Sequence, residues 1–213
     1  MIRYCAVDDT VMRTLERHEI RAHAIPNREV RDLGHAVLLH DPSDADPFWN
    51  RLQSVRWPSD DDGFEAHLTE ALALFLALGR QPHIWPSPVH AQPADLVERL
   101  AANGFRDIGG GHVMVLEDPA AAGPVRPTEL GRGVTLHAIR VAADAAAHDP
   151  DDMGRVLAGG FGAAPERGPE LASDLRRTLA DPRVALALVR VDGEAAACAK
   201  ATTFEGYTYL SSI

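Results

Sequence analysis

With 213 residues, 46% hydrophobic and 24% charged, the chain has room for one large domain or two small ones and the balance of a globular protein. Its formal net charge of −10, with Lys200 as its only lysine and no Lys/Arg cluster, argues against a nucleic-acid partner, because a net anion repels phosphate. No apolar run reaches membrane-spanning length, the start MIRYCAVDDT has no basic-then-apolar leader, and Cys5 and Cys198 are too few for a disulfide framework, so a cytoplasmic protein is expected.

In chain order, Asp8 or Asp9 is placed to cap a short helix with Val11, Met12 and Leu15 on one face. HAVLLH (35–40) reads as a buried strand. NRLQSVRW (50–57) reads as the next, and Leu52, Val55 and Trp57 share a face only if a bulge falls near Gln53-Ser54. DDDGFEAHLTEALALFLALGRQ is the strongest helix: acids at its start, a stripe of Phe64, Leu68, Leu72 and Phe75, and Gly79 as its stop. A short strand HIW follows, then helix PADLVERLAANGF with Leu96, Val97 and Leu100 inward and Gly104 as cap, then strand GHVMVLE. Residues 119–133, rich in Pro, Gly and Ala, read as a linker between a unit at 1–118 and another at 134–213.

The second unit opens with strand GVTLHAIR and helices DPDDMGRVLAGGFG and GPELASDLRRTLADP. RVALALVRV is apolar almost throughout and reads as a strand buried on both faces. Asp192-Gly193 turns it into EAAACAKATTF, and Glu205-Gly206 turns that into YTYLSSI, giving an antiparallel three-strand meander.

Other constellations have plainer readings. The ten histidines include no pair at helical i, i+4 spacing around an acid, and no cysteine pair joins them, so no metal site is expected. Cys198, among alanines, reads as core and not as a nucleophile. There is no Gly-x-Ser-x-Gly elbow. IGGGH (108–112) leads into a strand and not a helix, so it reads as a turn.

A strand, two helices and a three-strand meander form the order in which the GCN5-related N-acetyltransferases begin, and the second unit resembles them. In that family the fourth strand runs into a Gln/Arg-x-x-Gly-x-Gly/Ala loop that opens a helix, and its amides cradle the pyrophosphate of acetyl-CoA. VLAGGFG resembles the family's first helix and the entry to its acceptor site, and YLSSI resembles its fourth strand. On that alignment the chain stops where the phosphate loop is due. IWPSPVHAQPADLVERLAANGF is similar to the family's fifth strand and fourth helix, and GHVMVLE to its final strand. RDLGHA (Arg31, Gly34, Ala36) has the loop's spacing but leads into a strand.

The resemblance implies an α/β fold of the acyl-CoA N-acyltransferase type: a mixed, mostly antiparallel sheet flanked by helices, with a degenerate N-terminal unit and an incomplete C-terminal one. It implies acetyl-CoA as co-substrate, no metal, and a small-molecule or peptide amine as acceptor. The pantetheine arm would pair with the backbone of Leu210, Ser211, Ser212 and Ile213. Phe161 and Glu166, between the two helices, would shape the acceptor pocket. No catalytic base is identified; Glu205 is the candidate, with Glu194 near it, and both also read as solvated turn residues. Asp60, Asp61 and Asp62 stand where the first unit would bind phosphate, so no cofactor is expected there. The chain as given is expected to be inactive, with an open strand edge that invites self-association, as in a homodimer, or pairing with the first unit. The alternative is a non-catalytic scaffold or binding protein built from degenerate acetyltransferase halves.

Overall fold

The computed structural model describes residues 8–87, 89–109, 115, 131–140, 144–146 and 149–211. The chain divides into two compact units, Met1–Ile108 and Gly109–Ile213, a break ahead of the expected boundary at 118. The strand expected at GHVMVLE lies outside the described residues except for Val115, as does the linker up to residue 130.

In the first unit, α1 spans Asp9–Ala24, capped by Asp8, whose Oδ1 accepts from the Thr10 amide at 2.7 Å. It is longer than the short helix expected, because His18, Ile20 and Ala22 continue the buried face begun by Met12. Four strands follow: β1 (Glu29–Asp32), β2 (Val37–His40), β3 (Arg51–Gln53) and β4 (Ile84–Trp85), side by side in that order. The first two pairings are antiparallel and β3–β4 is parallel, with α2 (Asp61–Ala77) as the crossover. β1 is exposed along its whole length and carries no hydrophobic alternation, which is why the sequence does not announce it.

The irregularity expected in the third strand is real. Ser54 takes a left-handed φ of 53°, and the resulting kink puts Leu52, Val55 and Trp57 all into the core. Past the kink the chain continues to pair: the Gln92 amide donates to Val55 O at 3.1 Å and the Trp57 amide donates to Gln92 O at 2.9 Å.

Helix α2 is capped by Asp60, which accepts from the Gly63 amide at 2.8 Å, and it ends at Gly79 with φ 63°. Its buried stripe is Phe64, Leu68, Ala71 and Phe75. Leu72 is 40% exposed, contrary to expectation. At about 100° per residue it falls on the flank and Ala71 takes the inward place. The same geometry corrects Val97 in α3 (Leu96–Ala102): Leu96 and Leu100 are buried, and Val97 is exposed.

The second unit contains β5 (Val134–Ile139), α4 (Asp149–Gly160), α5 (Arg167–Thr178), β6 (Val184–Val191), β7 (Glu194–Phe204) and β8 (Tyr207–Ser211). The sheet order is β5-β6-β7-β8 and every pairing is antiparallel. Both hairpins turn through consecutive left-handed residues, Asp192 (φ 51°) and Gly193 (φ 90°), then Glu205 (φ 49°) and Gly206 (φ 84°). That backbone twist matches the twist of the flanking strands.

Strand β6 is not buried on both faces. Val184, Leu186 and Leu188 are buried, while Ala185, Ala187 and Val189 are partly open. The register puts Lys200, Cys198 and Thr202 of β7 on the buried side, where Cys198 Sγ lies 3.9 Å from the Met153 carbonyl of α4. Helix α4 in turn meets α5 at small residues: Gly154 and Gly168 are buried, and a Cβ built on Gly154 would lie 2.4 Å from Gly168 O. Among the described residues, no helix is long and apolar enough to cross a membrane.

Candidate functional site

The start of α4 is tied to the sheet by charge. Its acidic first turn suits the positive end of the helix dipole, and two of those acids are buried. Asp149 accepts from Arg190 of β6 at 3.0 Å and from the Ala146 amide at 2.8 Å, and its carboxylate lies 3.0 Å from His137 Nδ1 of β5. Asp152 also binds Arg190, and Arg155 as well. Burial by itself raises the Asp149 carboxyl. The Ala146 amide, Arg190 and His137 outweigh it and hold the group below the usual carboxylate range. Asp152 is lowered chiefly by its bond to Arg190.

Anchored this way, α4 runs across the sheet so that its last turns overhang the beginning of β7. Between them lies a groove of about 440 Å³. Gly159, Gly160 and Phe161 form one wall, and Ala195 to Cys198 form the other. Side chains this small leave the strand backbone within reach of a ligand. Among the described residues, β8 pairs with β7 only as far as Lys200↔Ser211, so Ala195 to Cys198 have β6 on one side and no described strand on the other. Arg155 is the charged residue at the groove, and Asp152 holds it.

Of the sequence candidates, Phe161 stands at this groove, 68% exposed directly after α4. Glu166 precedes α5 in helical conformation and caps nothing with its side chain. Leu210 and Ser211 lie on β8, whose outer side has no described strand, and the buried Ser211 Oγ has no hydrogen-bond partner among the described residues. Ser212 and Ile213 fall outside the described residues. Glu205 occupies the β7–β8 turn. It is seven residues along β7 from Cys198, roughly 23 Å at about 3.3 Å per residue, so the fold does not bring it to the groove. Glu194 lies in the β6–β7 hairpin, in register with Val191.

Cys198 touches the groove but is buried, and burial pushes its thiol up to about 11. A thiol so rarely ionised is a poor nucleophile, in keeping with the sequence reading of a core residue. Sequence reasoning did not find Ala195 to Ala197, because alanine in a strand announces nothing. It also missed the Arg190–Asp149–Asp152 anchor, because Arg190 lies on β6 and both acids lie on α4, some forty residues earlier. In the first unit the histidines do more than the sequence implies. His40 and His83 are structural, bonding Asn50 Oδ1 at 2.8 Å and Pro47 O at 2.7 Å, whereas His35, His67 and Glu70 converge on one point.

Compared with protein-family models, with curated proteins and with solved structures, the chain matches none.

Proposed function

We propose that this chain is built on acyl-CoA N-acyltransferase architecture and belongs to an enzyme that moves an acetyl group from acetyl-CoA to an amine. The observation that carries the reading is the order and direction of the strands in the two units taken together. The second unit runs strand, helix, helix and three antiparallel strands, the opening order of such a domain. After α1, the first unit runs three antiparallel strands, a crossover helix, a parallel strand and a helix, the closing order.

In the second unit the amine acceptor enters the groove beside Phe161, and the outer edge of β8 at Leu210 and Ser211 offers backbone groups to the pantetheine arm. Each such hydrogen bond is worth roughly 1 kcal/mol net. The amine attacks the thioester carbon directly. The C–S bond breaks, the thiolate leaves, and the ammonium proton goes to water or a nearby carboxylate. No thiolate on the protein is needed, which suits a Cys198 that stays protonated.

Two features speak for a scaffold role in the first unit. Asp60 uses its carboxylate to cap α2 where phosphate would dock. The free side of β3 is also taken by its own chain, through Leu52 to His83 O and Trp57 to Gln92 O, which leaves no edge for a pantetheine arm.

Amide shifts in a labelled chain titrated with acetyl-CoA test this. Changes confined to Tyr209–Ser211 and Ala195–Cys198, and weakened by Phe161→Ala only when an amine is present, are the expected result. Changes around Gly63 would overturn it, and no change anywhere even at millimolar acetyl-CoA would favour the non-catalytic alternative.

A further inference from the structure

We infer that the first unit carries a binding site for a single zinc-like divalent cation, formed by His35, His67 and Glu70. The three residues come from two separate segments. His35 sits in the β1–β2 turn, where the Leu33 amide donates to Ala36 O at 2.9 Å and the Arg56 amide donates to His35 O at 2.8 Å, so its backbone is fixed. His67 and Glu70 are three residues apart on α2 and therefore share a face. That helix is itself pinned by Phe64, Leu68, Ala71 and Phe75 in the core.

The donor atoms of all three lie within 4.8 Å of one another. His35 Nε2 is 4.0 Å from Glu70 Oε2, and the two imidazole rings meet edge to face with centroids 4.5 Å apart. A tetrahedral zinc with ligands at about 2.1 Å holds them roughly 3.4 Å apart. About 1 Å of side-chain movement closes the set. The Glu70 side chain is 67% exposed and that of His35 22%, so both have room to swing.

The His67 ring is also oriented by its own helix. Its Nδ1 is 2.9 Å from the Gly63 carbonyl, and a carbonyl only accepts. Nδ1 therefore carries the proton, and in the neutral ring the lone pair sits on Nε2. A ligating histidine that donates its other N–H to a backbone carbonyl is the arrangement that fixes tautomer and ring plane at metal sites. Two imidazoles and a carboxylate suit zinc and its borderline neighbours better than magnesium or calcium. Three protein ligands leave one position for water or an outside ligand. The ion would clip the β1–β2 turn to α2. This proposal does not depend on the acetyltransferase reading, since it uses only the side chains of His35, His67 and Glu70.

The test uses the full chain after chelator treatment, with cobalt(II) as a visible probe and zinc measured by competition with a chromophoric chelator. The expected result is one cobalt per chain with a four-coordinate absorption band, displaced by zinc. Binding should weaken at least tenfold in His35→Ala, His67→Ala and Glu70→Gln. Glu70→Gln is isosteric on an exposed side chain and leaves folding intact. Zinc should also raise the unfolding temperature read by the fluorescence of Trp49, Trp57 and Trp85, all in this unit. No stoichiometric binding, or binding equally tight in Glu70→Gln and His35→Ala, would overturn the site.

Discussion

Substituting Gly154 by alanine should destabilise the second unit, although alanine is the better helix former. On propensity alone, Gly→Ala inside a helix gains about 1 kcal/mol. At Gly154 the new methyl would stand 2.4 Å from Gly168 O, 3.0 Å from the Ala172 amide nitrogen and 3.1 Å from Ala172 Cβ. Two of these three atoms are backbone and cannot rotate away, so α5 must retreat from α4 by several tenths of an ångström. Overpacking of this kind costs about 1–3 kcal/mol, and contact with backbone puts it at the upper end. The net expectation is a loss of about 1–2 kcal/mol, or roughly 4–16 °C for a unit of this size. Gly159, in the same helix, has nothing within 4 Å of its Cβ position, so Gly159→Ala should be neutral or stabilising. Hydrogen exchange at the β6 amides of Leu186 and Leu188 reads the effect. Tryptophan fluorescence reports the first unit separately, since all three tryptophans lie there. If Gly154→Ala were as stable as Gly159→Ala, the close approach of α4 and α5 would be wrong.

Two further outcomes follow from the second unit's ionisable groups. Because Asp149 and Asp152 are held below their ordinary range, their pairing stabilises the fold fully above about pH 3.9 and is lost as pH falls through their lowered values. Arg190→Met should therefore be markedly less stable than the parent at pH 6, with the gap closing only as pH falls below about 3.9; a gap that stays constant into acid would show that the ion pairs are not what the substitution removes. For Cys198, a thiol at about 11 should be alkylated at neutral pH roughly 10²–10³-fold more slowly than an open cysteine, measured in a Cys5→Ser background. A rate equal to that of free thiol would mean that α4 does not cover it.

The sequence by itself determined the parts of this protein that are settled within a few residues of chain. Asp192-Gly193 and Glu205-Gly206 specify hairpin turns because their left-handed backbone is a local choice. Asp60 and Gly79 mark the ends of α2 because capping is a contact between near neighbours. The Gln53-Ser54 irregularity was legible because only a break in alternation lets Leu52, Val55 and Trp57 share a core. At the candidate site, Phe161 was singled out only by its position between the two helices, and the structure sets it beside the groove.

Tertiary structure decided what depends on distant partners. Whether Ala71 or Leu72 faces inward, and whether β6 is covered on one side or two, depends on which element lies opposite. β1 pairs despite having no hydrophobic pattern, because β2 supplies its hydrogen bonds. Gly154 differs from Gly159 only through the position of α5. The Arg190–Asp149 tie and the meeting of His35 with His67 and Glu70 join segments that no spacing rule connects. Charge and ligation act through space over a few ångströms, and chain order does not encode that distance until the fold has formed.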